Sequence, residues 1–101
     1  MKKMEKADAH CVAAKDDVAV VIRDVAAGER IAARRENGPP LELTAVTAVP
    51  AGHKIALRDF RRGENVLKYG SVIGAASEYI PKGAHVHIHN LEGLRGRGDR
   101  Q

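Results

Sequence analysis

The chain has 101 residues, enough for one domain with its own core and too few for two. Its formal net charge is +4, but one Phe, two Tyr and no Trp leave little aromatic surface on which bases could stack. A single cysteine, Cys11, excludes an internal disulfide framework and reads as a small, half-buried hydrophobe.

The first ten residues, MKKMEKADAH, include acidic side chains and no apolar run, so no secretory leader is expected there, and residues 1–14 are expected to be a loose or weakly helical lead-in. The longest apolar run, Val18 to Ile22, is far too short to span a membrane, and a soluble, cytoplasmic protein is expected. That run opens a β-branched stretch, VAVVIR (18–23), read as the first strand. Gly38-Pro39-Pro40 breaks the chain before a second stretch, ELTAVTAV (42–49). HKIALR (53–58) follows, then SVIGAASEY (71–79), which suits a short strand or a turn of helix. HVHIHN (85–90) is the last expected strand, and residues 92–101 form a Gly- and Arg-rich tail. Arg34-Arg35, Arg61-Arg62 and Arg95/Arg97/Arg100 read as solvated surface charge. No helix-turn-helix, zinc-finger, Walker A, dinucleotide-binding or nucleophile-elbow pattern is present.

One phrase recurs: apolar-x-x-Gly-x-x-apolar. It appears as VAAGERI (25–31), VPAGHKI (49–55), FRRGENV (60–66) and IPKGAHV (80–86). Arg-Asp precedes the first and third copies, and Pro follows the opening apolar residue in the second and fourth. Glycine accepts positive φ at little steric cost, and Pro presets a turn conformation, so each copy reads as strand, tight turn, strand. The repetition is at the scale of turns, not domains. Together these elements predict a mainly β domain of many short strands over residues 15–91.

Three of the five histidines, His85, His87 and His89, alternate in GAHVHIHN (83–90). On a straight strand, alternate residues share one face about 6.5 Å apart, and three of them span about 13 Å. Metal–nitrogen bonds near 2 Å cannot reach across that, so one ion needs a bend in the strand or a ligand from elsewhere. His53, in the turn of the second Gly phrase, is the best outside candidate. The bland alternative is a polar strand face, with Val86 and Ile88 in the core. His10 stands alone and reads as a solvated side chain. Arg58 and Lys68 suit either a substrate carboxylate or surface ion pairing. Asn90 suits a substrate hydroxyl or a turn closure. Asp59 and Glu64 read as turn or cap residues, and Tyr69 and Tyr79 as packing groups.

The segments GHKIALRD (52–59), GENVLKYGSVIG (63–74) and GAHVHIHN (83–90), in this order, resemble the small N-terminal module of the altronate and galactarate dehydratase family, which includes sulfolactate sulfo-lyase. DDVAVVIRDVAAGE (16–29) resembles that family's opening strand and turn. The resemblance implies a SAF-like β-clip fold and a lyase that eliminates water from a sugar acid, or sulfite in the sulfo-lyase branch. It implies a divalent metal, Fe(2+) or Mn(2+), and a large catalytic dehydratase subunit as partner, with the isolated chain inactive or nearly so. On it, His85 and His87 are expected to bind metal, His53 to bind beside them or act with His89 in proton transfer, and Arg58, Lys68 and Asn90 to contact substrate. The chain departs from the family's pattern at Ala84, where an acidic residue is frequent, at Asp16-Asp17 and at Phe60. A non-catalytic carbohydrate- or protein-binding module is the competing reading.

Overall fold

In the computed structural model, which describes residues 7–11, 16–35, 39–68, 71–87 and 89–93, every regular element is a strand. β1 (Ala9–Cys11), β2 (Val18–Val21), β3 (Arg30–Arg35), β4 (Leu41–Thr44), β5 (Lys54–Ala56) and β8 (His85–Val86) form a six-stranded sheet in the order β4-β3-β1-β2-β5-β8. β6 (Asn65–Lys68), β7 (Ser71–Ala76) and β9 (Leu91–Gly93) form a second sheet in the order β6-β7-β9. All pairings are antiparallel except β1 with β3. Among the described residues no helix is long and apolar enough to cross a membrane. The mainly β, SAF-like expectation therefore holds.

The expected lead-in needs correcting. Residues 9–11 are not loose: β1 lies between β2 and β3 in the larger sheet. Ala9 and Cys11 face the core on alternate positions, while His10 faces solvent, the pattern of a half-buried strand. Burial, and then the nearby Asp16 carboxylate, push the Cys11 thiol above its usual pKa, as befits an inert packing residue. The 71–79 stretch resolves into β7 and a turn, and Tyr79 is exposed instead of packed. At the other end, β9 carries ordered pairing to Gly93, into the expected tail, whose residues 94–101 lie outside the described ones, as does Tyr69.

All four phrase glycines, Gly28, Gly52, Gly63 and Gly83, have φ between 86° and 91°. Each is the third residue of a turn closed by a backbone hydrogen bond, for example His53 N–H to Pro50 C=O at 3.0 Å and Ala84 N–H to Pro81 C=O at 3.0 Å. Positive φ at that position defines a type II turn and explains the glycine. Pro50 and Pro81 are the first residues of their turns and supply the accepting carbonyl; they do not occupy the second position that presets φ.

The turns also pair with each other. Val25 bridges Val49, and Phe60 bridges Ile80, so the first phrase joins the second and the third joins the fourth. Around each pair the same bonds recur. Arg23 Nε donates to Asp8 and Nη1 to the Asp24 carbonyl; Arg58 Nε donates to Asp17 and Nη1 to the Asp59 carbonyl. Glu29 accepts from the Ala26 amide and Arg23, and Glu64 from the Arg61 amide and Arg58. Asp24 caps the Ala51 amide, and Asp59 the Lys82 amide. Asp8 caps Ala32 in β3, and Asp17 caps Leu67 in β6. The domain is thus built from two half-units with one bonding plan. Each has its own core, one centred on Val21, Ile31, Val49 and Ile55, the other on Phe60, Val66, Ile80 and Val86. The repetition read at turn scale in the sequence extends to half the domain.

Candidate metal centre

The antiparallel neighbours β5 and β8, paired Ile55 to His85 and Lys54 to Val86, carry the histidines. His53 leaves the second Gly turn just before β5, and His85 opens β8. Here the expected straight strand over 85–90 is replaced by something more useful. β8 ends at Val86, the chain bends at His87, and a turn closes through the Asn90 N–H bonded to the His87 C=O at 3.1 Å. Ile88 lies outside the described residues.

The bend brings rings together that a flat strand would hold apart. The His87 ring stacks on His53 with centroids 4.2 Å apart, and His85 lies 5.0 Å from His53 and 5.4 Å from His87. His53 Nδ1 and His85 Nε2 are 2.8 Å apart, so one neutral ring donates to the other. One nitrogen from each of His53, His85 and His87 can be chosen such that all lie within 4.8 Å of one another, and all three residues are half-buried. Adjacent donors around an ion with bonds of 2.0–2.1 Å are about 3 Å apart, so the 2.8 Å His53–His85 spacing already fits, and drawing in the third nitrogen from a spread of up to 4.8 Å takes a closure of up to about 2 Å. His89 is exposed at the fringe, its ring centroid 5.1 Å from that of His85.

Two of the clustered rings are shifted towards their neutral form. Burial first, and then the other histidines and Lys54, hold His85 below the ordinary imidazole pKa. His87 is lowered in the same way, by desolvation and then by His53, Lys54 and His89. Neutral imidazole is the ligating form, so these environments favour metal over proton. No carboxylate belongs to the cluster among the described residues. An all-imidazole set suits Fe(2+), Zn(2+), Co(2+) or Ni(2+); it does not suit Mn(2+), which prefers oxygen donors.

The remaining expected site residues are elsewhere or otherwise engaged. Arg58 is held by Asp17 at 3.1 Å and Glu64 at 3.4 Å and lies over the Phe60 ring at 4.2 Å. It borders a shallow cleft of about 270 Å³ with Asp16, Asp17, Arg35, Leu41 and Leu57, which no histidine lines. Its bonds repeat those of Arg23, which marks it as part of the framework and not as a free carboxylate receptor. Asp59 and Glu64 take the turn-capping roles read from the sequence. Lys68 ends β6 opposite Ser71; its side chain lies outside what the structure describes. Asn90 is buried, with its carboxamide spent on backbone groups of His85 and His87 instead of facing a substrate. Two contributors escaped the sequence reading. Thr47 Oγ1 accepts the His85 N–H at 3.0 Å, and Lys54 adds charge beside the rings. No motif announces Thr47, whereas Lys54 follows His53 directly.

The profile of the altronate/galactarate dehydratase SAF domain matches residues 8–94, a span that holds both half-units and all the clustered histidines. The chain belongs to this family. Altronate dehydratase of Escherichia coli K12 is 42% identical over 77 residues, covering 76% of this chain and 14% of that protein. Altronate dehydratase of Bacillus subtilis 168 is 38% identical over 78 residues, 77% of this chain and 15% of that one. The (2R)-sulfolactate sulfo-lyase subunit alpha of Chromohalobacter salexigens is 36% identical over 77 residues, 75% of this chain and 82% of that subunit. The SAF domain thus accounts for about one seventh of the dehydratases it matches but most of the sulfo-lyase subunit.

Proposed function

We propose that this SAF domain serves a hydro-lyase that removes water from a sugar acid of the altronate or galactarate type, and that His53, His85 and His87 hold its divalent metal. The observation that carries this reading is the convergence of three imidazoles from two separate segments, two of which, His85 and His87, are shifted towards their neutral form. Fe(2+) fits this donor set; Mn(2+) does so only if oxygen ligands come from another chain or from substrate. A cytoplasmic setting goes with the single buried thiol.

Elimination from a hydroxy-carboxylate begins with loss of the proton beside the carboxylate, which builds negative charge on the carboxylate oxygens. A bound divalent ion supplies Lewis-acid stabilisation of that charge and of the departing hydroxyl. Lys54 adds positive charge that favours an anionic ligand there. His89 is exposed beside His85, and on this reading it gives a proton to the leaving hydroxyl. The cluster is shallow and lacks a carboxylate base among the described residues, so the reaction requires a larger catalytic chain over this face, either joined to the domain or as a separate subunit.

Calorimetric titration with Zn(2+) and, without oxygen, Fe(2+) tests the site directly. One equivalent is expected to bind, with His87→Ala weakening it at least tenfold and Mn(2+) binding poorly. No binding by the chain, alone or with the large partner, would favour a non-catalytic binding module. Dehydration of altronate or galactarate by the reconstituted pair, and not by the chain alone, is the expected activity.

A second reading has its own support. The matched region covers 82% of a (2R)-sulfolactate sulfo-lyase subunit alpha at 36% identity, which supports a domain that serves elimination of sulfite from sulfolactate. Sulfite release by the same reconstituted pair decides between the two substrates.

A further inference from the structure

We propose that Asn90 is the positioning residue that converts alternate histidines into a convergent site. The inference rests on the metal-site reading above, but its geometry stands independently. β8 is the terminal strand of its sheet, with β5 on one side and no further strand on the other among the described residues. An edge strand presents backbone groups that need partners. Here the His85 C=O accepts from Asn90 Nδ2 at 2.7 Å, and the His87 N–H donates to Asn90 Oδ1 at 2.9 Å. One carboxamide thus does what a neighbouring strand's peptide would do, on the two backbone groups that flank Val86. Asn90 as a residue retains only 4% exposure, so both bonds are made away from competing water.

The consequence is directional. With a real neighbouring strand, β8 would run on straight, and His87 would stand about 6.5 Å along from His85. Asn90 instead satisfies the edge from three residues downstream, and its own N–H closes the turn on the His87 carbonyl at 3.1 Å. Its C=O accepts from Ser77 N–H at 2.9 Å, which ties the loop to the end of β7. The chain must therefore curl after Val86, and the curl stacks His87 on His53. Thr47 Oγ1 holds the remaining edge group, the His85 N–H. Both ligand-bearing residues of this segment are thus pinned through their backbones, leaving their rings free for an ion. Asparagine is needed because one end must accept and the other donate. Aspartate keeps the acceptor but turns a carboxylate oxygen towards the His85 carbonyl, and alanine removes both bonds.

The test uses the full chain with Zn(2+) and Co(2+) as probes, at a temperature where all variants are folded by circular dichroism. Wild type is compared with Asn90→Ala, Asn90→Asp and Thr47→Val. Asn90→Ala is expected to weaken Zn(2+) binding by 10- to 100-fold, the range for residues that orient ligands, and to alter the visible Co(2+) spectrum. Asn90→Asp should fall nearly as far, and Thr47→Val by less. A metal-free readout runs alongside: the downfield imidazole proton shared by His53 and His85 in the nuclear magnetic resonance spectrum should broaden or disappear in Asn90→Ala. If wild type binds metal and Asn90→Ala binds it equally, with an unchanged Co(2+) spectrum, the inference is overturned, even if the variant melts earlier. If wild type binds no metal, the metal-site reading fails by itself, and the shared proton decides: its persistence in Asn90→Ala overturns the positioning role and its loss supports it.

Discussion

The two half-units share a frame and differ in what they carry. Arg23 and Arg58 make corresponding bonds to Asp8 and Asp17, to the carbonyl of the next residue, and to Glu29 and Glu64. Yet His53, which leaves the second turn of the first unit, has Ala84 as its counterpart in the second, and the ring of His53 reaches over to histidines that follow Ala84. The frame is therefore general support, and the proposed metal site lies where a turn from one unit meets the edge strand of the other. Residues present in both units are framework; residues present in only one are candidates for function.

This contrast can be broken most forcefully at the bridge residues. Phe60 is fully buried and corresponds to Val25, itself 2% exposed. Phe60→Ala is expected to cost about 3–5 kcal/mol, and Val25→Ala about half that, in urea unfolding. Equal losses would mean that the two cores are not independent packing units.

Turn glycines come next. A Cβ at Gly28 or Gly63 meets open space, so alanine there should cost about 1–2 kcal/mol from positive φ alone. At Gly83 a Cβ would run into the Thr44 carbonyl oxygen, and Gly83→Ala should lose roughly twice as much. Chemical denaturation of the three variants ranks them; a Gly83 variant no worse than the others would contradict the close approach.

Smaller effects are expected from the arginines. Arg23 and Arg58 are each 44% exposed, so solvent screening should keep the stability losses of Arg58→Met and Arg23→Met in urea unfolding small. The two losses should be alike, and Zn(2+) affinity should not change. A selective loss of substrate affinity in the Arg58 variant of the reconstituted enzyme would restore it as a substrate contact.

The smallest predicted effect is in pH dependence. His85 and His87 are held below the unfolded value of about 6.5. Between the folded and unfolded values the unfolded chain binds more protons, so stability rises with pH there and is lost as pH falls below about 6.5. The urea midpoint should drop between pH 7.5 and 5.5, and His85→Gln should flatten the slope. A midpoint that holds steady or rises on acidification would show that the cluster is not desolvated as described.

Much of this was legible in the sequence because glycine and β-branched residues report local backbone needs. The four Gly phrases located four type II turns, and the short apolar stretches located most strands. The convergence of His53 with GAHVHIHN was foreseeable only as a requirement, since a straight strand could not bring its own histidines together. What could not be read was the means. The bend depends on Asn90 facing inward, and an asparagine in a turn looks the same in sequence whether its side chain points to solvent or to a strand edge. β1 was missed because its alternation, Ala-His-Cys, is too short and weakly β-prone to stand out, and only pairing on both sides makes it a strand. Arg58 was ambiguous because ion pairing and carboxylate binding call for the same residue; comparison with Arg23 shows that its ion pairs belong to the shared frame.

The position of β1 bears on how the chain folds and how it can be cut. It precedes the other described strands in the chain, yet its parallel partner β3 ends at Arg35, so the larger sheet cannot close until that later segment is available. A chain trimmed to begin at residue 15 would keep every Gly turn and every clustered histidine, but would lose Asp8 and the strand that joins β2 to β3. Such a trimmed domain should accumulate as a partly folded species with an open sheet edge, prone to association.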